Sequence, residues 1–329
     1  MKIAFYDTKP YDRKWFEPLA RERNIEITFY ETKLNKDTAI LANGFDTVCI
    51  FVNDEAEGAT LDKLEDMGVK TILLRCAGYD NIDLKAAGDR FNVLRVPSYS
   101  PEAVAEFALT LLMAVNRHVH RAYQRTRDFN FSINGLMGMT LSGKTIGVVG
   151  TGKIGQAMIN ILQGFGMEIL CYDPYPVEGL KAKYVSREEI FKKSDIITFH
   201  CPLTEDTKYM VNAETIKIMK DGAIIVNTSR GAIVETTSLV NALKVGKFSG
   251  VALDVYEEED DYFFEDRSNE IINSDELSRL LTFPNVLITS HQAFFTTEAM
   301  KAIAETTLEN GLDAEKGEME DRNTLAKKA

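Results

Sequence analysis

The sequence has few cysteines and prolines and no long apolar run. Its four cysteines, Cys49, Cys76, Cys171 and Cys201, form no CxxC pair. This excludes a zinc knuckle and a CxxC redox centre, predicts no metal site, and favours a reducing cytoplasm. Only 8 residues are proline and 21 are glycine, which excludes collagen-like and low-complexity chains. No stretch approaches the roughly 18 apolar residues of a membrane span, so we expect no membrane partner.

Basic residues are also scarce relative to acidic ones. The chain has 38 Lys and Arg against 50 Asp and Glu, a formal net charge of -12. Such a mean field repels nucleic acid, which is therefore not an expected partner. The composition is otherwise that of a globular protein, with 45% hydrophobic residues, and a length of 329 residues predicts about two domains.

Two series of short apolar runs predict strands that alternate with helices. The first series is IAFY, IEITFY, TVCIFV, TILLRC and VLRV, and the second is TIGVVG, EILCYD, IITFHC, AIIVN, GVALDV and VLITSH. These runs are apolar on successive residues, which is typical of strands that are covered on both faces. Ser186 and Glu189 form a capping-box pattern at the start of one intervening helix. The sequence therefore predicts an α/β fold with two doubly wound parallel sheets.

One apolar helical pattern separates the two series. It runs from Pro101 to about His118 and follows Ser100, a residue suited to cap a helix. We interpret this helix as the crossing between domains. A last helical pattern, from about Thr297 to Asn310, has no strand of its own to cover, so we expect it to return to the first domain. The predicted domains are residues 1–99 with 296–329, and residues 100–295.

An acidic and aromatic segment interrupts the second series. Residues 257–266 read EEEDDYFFED and lie between two predicted strands. Because runs of like charge are usually solvated, we expect an exposed loop here.

A glycine motif supplies the clearest functional signal. Gly150, Gly152 and Gly155 form GxGxxG directly after a predicted strand and at the start of a helix. Such glycines allow a tight turn and a close approach of a pyrophosphate to the helix N-terminus. Asp173 ends the next strand, where a carboxylate binds ribose hydroxyls and repels a 2'-phosphate. The alternative, that the glycines only form turns, is disfavoured by this context, and the sequence predicts NAD as cofactor.

Reduction or oxidation by a nicotinamide requires a proton donor or acceptor and, for an anionic substrate, a cation. Of the four histidines, His118 and His120 are expected at the surface, whereas His291 ends a predicted strand and is the best acid-base candidate. Arg230 follows another strand, and Glu259 follows a third and can orient the His291 ring. Taken alone, Arg230 also fits an exposed arginine in a tight turn, and Glu259 also fits one acid of an acidic run.

With these residues in view, the chain resembles the D-isomer-specific 2-hydroxyacid dehydrogenases over nearly its full length. The resemblance rests on several segments: RCAGYDNIDL, RVPSYSPEAVAE, VGTGKIG, HCPLT, NTSRGAIVE, LDVYEEE and SHQAF. Two narrower segments, NRHVHRAYQRTRD and FFED, point to the D-lactate branch of the family.

The resemblance implies a Rossmann-type NAD domain, a flavodoxin-like substrate domain, and reduction of pyruvate to D-lactate. Arg230 would bind the substrate carboxylate, His291 would donate the proton, and Glu259 would be its partner, with Glu257 and Glu258 as bystanders. Further implied cofactor contacts, beyond the glycines and Asp173, are Lys153, Ile154, Cys201, Pro202, Thr207, Thr228, Ser229, Arg230 and Asp254. The implied substrate contacts are Cys76, Ala77, Gly78, Tyr99, Arg230, His291 and Phe294.

Two other functions stay open on the sequence. One is the same chemistry on a bulkier 2-keto acid, since pocket volume is not readable from a sequence. The other is an NAD(H)-sensing binding protein, because such proteins can retain the same catalytic residues. The size of the apolar helix after Pro101 also predicts a homodimer or homotetramer.

Overall fold

The chain forms two compact units. The computed structural model describes residues 1–328, apart from the side chain of residue 261. The units are Met1–Ser100 with Phe295–Ala329, and Pro101–Phe294. The predicted boundaries, at 99/100 and 295/296, differ from these by one residue, and Ala329, where the first predicted domain ends, lies outside the described residues.

The first unit is built on a six-stranded sheet. Its first segment contains β1 Lys2–Phe5, α1 Pro10–Glu22, β2 Glu26–Phe29, β3 Thr47–Ile50, α2 Gly58–Asp66, β4 Thr71–Leu74, α3 Leu84–Ala87 and β5 Asn92–Arg95. The strands β1 to β5 are parallel in the order 5-4-3-1-2, which is the flavodoxin-like order. Because β3 and β4 are buried along their whole length, their apolar runs do not alternate.

The second unit is built on a seven-stranded sheet. Its elements are α4 Pro101–Asn116, α5 Val119–Arg127, β6 Thr145–Val149, α6 Lys153–Leu162, β7 Glu168–Tyr172, β8 Lys183–Tyr184, α7 Arg187–Lys193, β9 Ile196–Phe199, α8 Ala213–Ile218, β10 Ala223–Asn227, α9 Thr236–Lys244, β11 Phe248–Leu253, α10 Asp275–Thr282 and β12 Val286–Ile288. The strand order is 12-11-10-9-6-7-8, with every pair parallel. This is the Rossmann order, and the predicted fold class is confirmed. The capping box of Ser186 and Glu189 at α7 is also confirmed.

The chain then returns to the first unit, as α11 Thr297–Lys316 and β13 Thr324–Ala326. α11 packs against α1, β4 and β5, and it is longer than the sequence predicted. The strand β13 pairs antiparallel with β5 and was not predicted, nor was β8. Both are edge strands of two or three residues, too short to produce a recognisable apolar pattern.

The helix α4 is covered within its own unit. It packs on α6, β10 and β11, and a Cβ on Gly250 of β11 would lie 3.1 Å from the Val115 side chain. Packing within the second unit therefore accounts for the many apolar residues of α4, and a second copy of the chain is not needed to cover them. No helix among residues 1–328 is both long enough and apolar enough to cross a membrane.

Two histidines that were expected at the end of the long helix lie beyond it. α4 ends at Asn116, and His118 adopts a left-handed conformation with φ +51° before α5 begins. His118 and His120 are only partly exposed, and burial lowers the pKa of His120. The two histidines therefore lie beyond the end of α4, His118 at the turn and His120 within α5, instead of ending the long helix as expected.

Candidate active site

The candidate residues of the second unit follow the carboxyl ends of parallel strands. Gly150 follows β6, Asp173 follows β7, and Cys201 lies just beyond β9. The segments after β10, β11 and β12 carry Arg230, Glu259 and His291, respectively. Because these strands are all parallel, the six segments emerge at one edge of the sheet, where α/β proteins bind their ligands.

Two glycines of the motif that forms the glycine loop between β6 and α6 occupy positions that have no room for a side chain. They are Gly150, directly after β6, and Gly155, in the first turn of α6. Gly150 has φ +94°, and a Cβ there would lie 2.5 Å from the His200 carbonyl oxygen. A Cβ on Gly155 would overlap the carbonyl of Gly150. By contrast, Gly152 faces open space and precedes α6, whose first turn has no side-chain cap. The loop therefore leaves room and unpaired N–H groups for an anionic ligand.

Asp173 is tied to this loop. Its Oδ2 accepts a hydrogen bond from the Thr151 N–H at 2.7 Å, and its Oδ1 accepts one from the Tyr175 N–H at 2.8 Å. The carboxylate therefore fixes the loop from the neighbouring strand, a role that the sequence did not predict.

The remaining cofactor candidates of the second unit lie at the ends of β9 and β10 and at the start of α6. The Ser229 hydroxyl donates to the Cys201 carbonyl, and the Thr207 hydroxyl donates to the Pro202 carbonyl at 2.7 Å. Burial raises the pKa of the Cys201 thiol to about 12, so the thiol stays neutral. Lys153 is exposed at the first position of α6, whereas Ile154 packs onto the core.

Thr228 provides an independent sign of a ligand at this edge. Its Oγ1 is buried and has no hydrogen-bond partner within residues 1–328. Buried hydroxyl groups are usually paired in folded proteins, so this atom is open to a partner from outside the chain. Together with the open glycine loop and the uncapped helix, it fits a bound dinucleotide.

His291 and Glu259 form the closest pair of titratable candidates. His291 Nδ1 lies 2.8 Å from Glu259 Oε1, and the two side chains are 21% and 16% exposed, respectively. The other oxygen, Glu259 Oε2, accepts a hydrogen bond from the Tyr256 N–H at 2.8 Å. The carboxylate is thus fixed on both sides and orients the imidazole, which leaves Nε2 available for proton transfer.

The other two glutamates of the acidic segment contact other groups. Glu257 accepts hydrogen bonds from the Tyr209 hydroxyl and the Thr236 N–H. Glu258 lies within hydrogen-bond distance of the hydroxyls of Tyr256 and Ser274.

Most described residues of the acidic segment, 257–266, are at least partly exposed, as expected, but part of it packs onto the protein. A 3₁₀ turn, Glu259–Asp261, positions Glu259. Phe263 is buried in the core, and the Phe264 ring centroid lies 5.9 Å from that of His291. The aromatic residues among the acidic ones were the sequence signal for this packing.

Asp254 anchors the turn that carries His291. It is fully buried, and its carboxylate accepts hydrogen bonds from the Thr289 hydroxyl at 2.5 Å and from the N–H groups of Gln292 and Ala293. Burial raises the pKa of Asp254, although these donors act in the opposite direction. The His291 N–H also donates to the Asp254 carbonyl at 2.7 Å, which holds His291 at a left-handed φ of +53°. The sequence suggested a cofactor contact for Asp254 and missed this anchoring role.

Arg230 lies on a loop that is packed against the segment before Glu259. Its carbonyl accepts a hydrogen bond from Asn227 Nδ2 at 2.8 Å, and its guanidinium donates to the Ser229 carbonyl at 2.9 Å. The next residue, Gly231, touches the backbone of Tyr256 so closely that any Cβ would overlap it. This contact fixes the backbone of Arg230 relative to the segment that carries Glu259.

The substrate candidates Cys76, Ala77, Gly78 and Tyr99 lie in the first unit, whereas Phe294 is the last residue of the second. The first three lie in the loop after β4, one residue beyond its end, and the Cys76 thiol contacts the Gly78 carbonyl at 3.3 Å. Tyr99 is partly exposed, and Phe294 is buried. No group of three or more His, Cys, Asp or Glu within the described part of the chain is arranged to hold a metal ion.

His200, at the end of β9, should make the stability of the protein pH-dependent. Its Nε2 lies 2.9 Å from the Thr198 hydroxyl, its Nδ1 has no partner among residues 1–328, and burial lowers its pKa to about 4. The unfolded chain takes up this proton near pH 6.5, so between pH 6.5 and 4 the unfolded state binds more protons. We expect the contribution of His200 to the free energy of unfolding to be largest above pH 6.5 and to fall by about 2–3 kcal/mol towards pH 4.

The variant His200→Asn tests this expectation. The thermal midpoint is measured against pH for both proteins, and the variant should lose less stability on acidification. Equal losses in the two proteins would contradict the role of His200.

A Rossmann-type sheet with an open glycine loop, and a histidine–glutamate pair at the same edge, define an NAD-dependent oxidoreductase. The family model for the NAD-binding domain of the D-isomer specific 2-hydroxyacid dehydrogenases matches residues 109–293. The chain belongs to this family, and it is an NAD-dependent D-2-hydroxyacid dehydrogenase.

Individual relatives match over nearly the whole chain. A 2-hydroxyacid dehydrogenase homolog of Haemophilus influenzae is 51% identical, over 94% of this chain and 95% of that protein. The D-lactate dehydrogenase of Escherichia coli is 49% identical, over 97% of this chain and 98% of that protein. An apo structure of the E. coli D-lactate dehydrogenase superposes with a TM-score of 0.90 at 46% identity, covering 99% of this chain and 100% of that one.

Proposed function

We propose that the protein is a D-lactate dehydrogenase that reversibly reduces pyruvate to D-lactate with NADH. The observation that carries the proposal is the 2.8 Å distance between His291 Nδ1 and Glu259 Oε1. This pair lies at the same edge of the second sheet as the glycine loop. The similarity to the E. coli D-lactate dehydrogenase favours lactate over other 2-hydroxy acids.

In this proposal the bound nicotinamide supplies the hydride, and the chain supplies the proton and the charge. His291 in its protonated form donates from Nε2 to the keto oxygen of the substrate. Glu259 holds the imidazole in place through Nδ1 and balances its positive charge. Arg230 binds the substrate carboxylate and stabilises the negative charge that develops on the keto oxygen.

The other candidate residues bind the two ligands. The backbone N–H groups of Cys76, Ala77 and Gly78 bind the substrate carboxylate, and Tyr99 and Phe294 limit the space for the side chain. The cofactor contacts are Gly150, Gly152, Lys153, Ile154, Gly155, Asp173, Cys201, Pro202, Thr207, Thr228, Ser229, Arg230 and Asp254.

The proposal is tested by following NADH consumption with pyruvate and analysing the chirality of the product. D-lactate is the expected product, and L-lactate or no reaction would overturn the assignment. The same assay with phenylpyruvate and 2-ketoisocaproate should give lower kcat/KM values than pyruvate. A higher value for either would show a bulkier natural substrate, and NADH binding without turnover of any keto acid would favour a sensing protein.

Removing the charge of Asp173 should weaken the preference for NADH over NADPH. The variant Asp173→Asn keeps an acceptor for only one of the two N–H groups, those of Thr151 and Tyr175, and it no longer repels a 2'-phosphate. We expect the ratio of kcat/KM for NADH to that for NADPH to fall about tenfold or more, corresponding to loss of at least one strong charge repulsion. Asp173→Ala should relax the preference too, with a larger loss of overall activity. An unchanged ratio in Asp173→Asn would contradict the role in cofactor choice.

We also propose a homo-oligomer, a dimer or a tetramer. The segment after α4 exposes a group of large apolar side chains: Tyr123, Phe129, Phe131, Ile133 and Met137. Clusters of this kind mark protein interfaces more often than free surface. Sedimentation at micromolar concentration should show more than one subunit, and a monomer there would contradict the proposal.

The proposed compartment is the cytoplasm. Cys49, Cys76, Cys171 and Cys201 are all buried free thiols, which suits a reducing environment. Subcellular fractionation should recover the activity in the cytoplasmic fraction, and recovery elsewhere would contradict this.

A further inference from the structure

The loop of residues 76–78 is held from behind by an arginine on the neighbouring strand. Arg95 is the last residue of β5 and pairs in register with Leu74, the last residue of β4. Its Nη1 donates a hydrogen bond to the Ala77 carbonyl at 2.8 Å. The guanidinium also lies 4.8 Å from the centroid of the Tyr79 ring, so Arg95 contacts the chain on both sides of Gly78.

The backbone of Arg95 is itself fixed. Its N–H donates to the Asn323 carbonyl at 2.8 Å, and its carbonyl accepts from Asn310 Nδ2 at 2.9 Å. The Asn323 and Asn310 side chains bond to each other at 2.8 Å. The guanidinium therefore extends from a rigid part of the first unit, built from β5, α11 and the segment before β13.

The acceptor of the Arg95 hydrogen bond has a direct consequence for Gly78. The Ala77 carbonyl and the Gly78 N–H belong to one peptide group, and in a trans peptide they point in opposite directions. A cation that holds the carbonyl on one side therefore directs the N–H to the other side. It also polarises the peptide, which makes that N–H a stronger donor.

The N–H groups of Ala77 and Gly78 are available for a ligand. Neither donates a hydrogen bond within residues 1–328. The carbonyls of this loop are engaged, because Val96 donates to Cys76, Arg95 to Ala77, and the Cys76 thiol to Gly78. A loop whose carbonyls are engaged while two donors stay open is suited to a carboxylate.

We propose that Arg95 is a positioning residue for substrate binding: through the Ala77–Gly78 peptide it aims and strengthens the N–H that receives the substrate carboxylate. The inference rests on the proposed function, in which this loop binds the carboxylate. Arg95 does not touch the substrate itself, since its guanidinium is held against the Ala77 carbonyl and the Tyr79 ring.

The test compares Arg95→Met and Arg95→Lys with the wild-type enzyme. In Arg95→Met we expect the KM for pyruvate and the Ki for oxamate, an isosteric carboxylate, to rise roughly 10- to 100-fold, as for loss of a charge-assisted hydrogen bond. The kcat should change much less, and the Kd for NADH should not change. Arg95→Lys keeps the charge and should restore part of the affinity for oxamate.

A matched control and a second variant keep the test decisive. Arg90→Met removes an arginine of the first unit that pairs with Asp62 and Glu65 at the surface, and it should leave the KM for pyruvate unchanged. If Arg95→Met does not fold, Tyr79→Leu removes the ring against the guanidinium, and it should raise the same two constants by a smaller factor.

The outcomes separate this inference from the proposed function. A wild-type enzyme that does not reduce pyruvate overturns the proposed function. A wild-type enzyme that reduces pyruvate, together with a folded Arg95 variant whose KM and oxamate Ki are unchanged, overturns only the role of Arg95. If NADH affinity and kcat fall by factors as large as the rise in KM, and the thermal midpoint falls too, the residue is purely structural. That result would also overturn the role of Arg95.

Discussion

Replacing His291 with alanine should lower the turnover of pyruvate by about 10²- to 10⁴-fold while NADH still binds. The imidazole is the best-placed proton donor at the sheet edge, since its Nδ1 is held 2.8 Å from Glu259 and its ring is partly exposed. Without it, the proton must come from water, which is neither oriented nor charged. NADH binding should persist because the glycine loop and Asp173 belong to other strand ends.

The measurement is single-turnover and steady-state reduction of pyruvate, with NADH affinity measured separately by fluorescence. His118→Asn is the matched control, because it removes an imidazole from the same unit at a left-handed position that asparagine tolerates. The control should keep normal turnover. Normal turnover in His291→Ala, or a loss of NADH affinity as large as the loss of rate, would reject the assignment of His291 as proton donor.

Much of the fold could be predicted because strands covered on both faces leave an unmistakable pattern. The runs that became β3, β4, β6, β9 and β10 are apolar at nearly every position. Once the strands were placed, the glycine motif identified the first strand of the second sheet and its helix, whereas the Rossmann-type domain was implied by the resemblance to the family. The position of Asp173 followed from the glycine motif too.

The side-chain network behind the site could not be predicted, because it depends on tertiary contacts. No local pattern shows that Asp254 would be buried beneath the turn of His291, or that Phe264 would pack near the imidazole ring. Gly231 is a similar case. A side chain at this position would overlap the backbone of Tyr256, which is 25 positions away in the chain. Such contacts join segments that neither spacing nor composition connects.

Replacing Arg230 with glutamine should lower kcat/KM for pyruvate by about 10³-fold or more, since one donor to a developing oxyanion is already worth 10²- to 10³-fold. Arg230 is expected to contribute twice, through the substrate carboxylate and through the keto oxygen. Its backbone is fixed by Asn227 and by the contact of Gly231 with Tyr256, so the glutamine side chain would start from the same place and fail only for lack of charge and reach.

Two further variants separate charge from geometry in this prediction. Arg230→Lys keeps a cation but not the planar pair of donors, so it should recover only part of the lost kcat/KM. In Arg230→Ala, added guanidinium ion should raise the rate in a saturable manner, since the missing group can then bind from solution. Arg187→Gln, an exposed arginine of the same unit, should leave kcat/KM unchanged. If Arg230→Gln reduces pyruvate within a factor of two of the wild-type kcat/KM, then Arg230 does not bind the substrate, and the carboxylate must be held by the N–H groups of the loop after β4 alone.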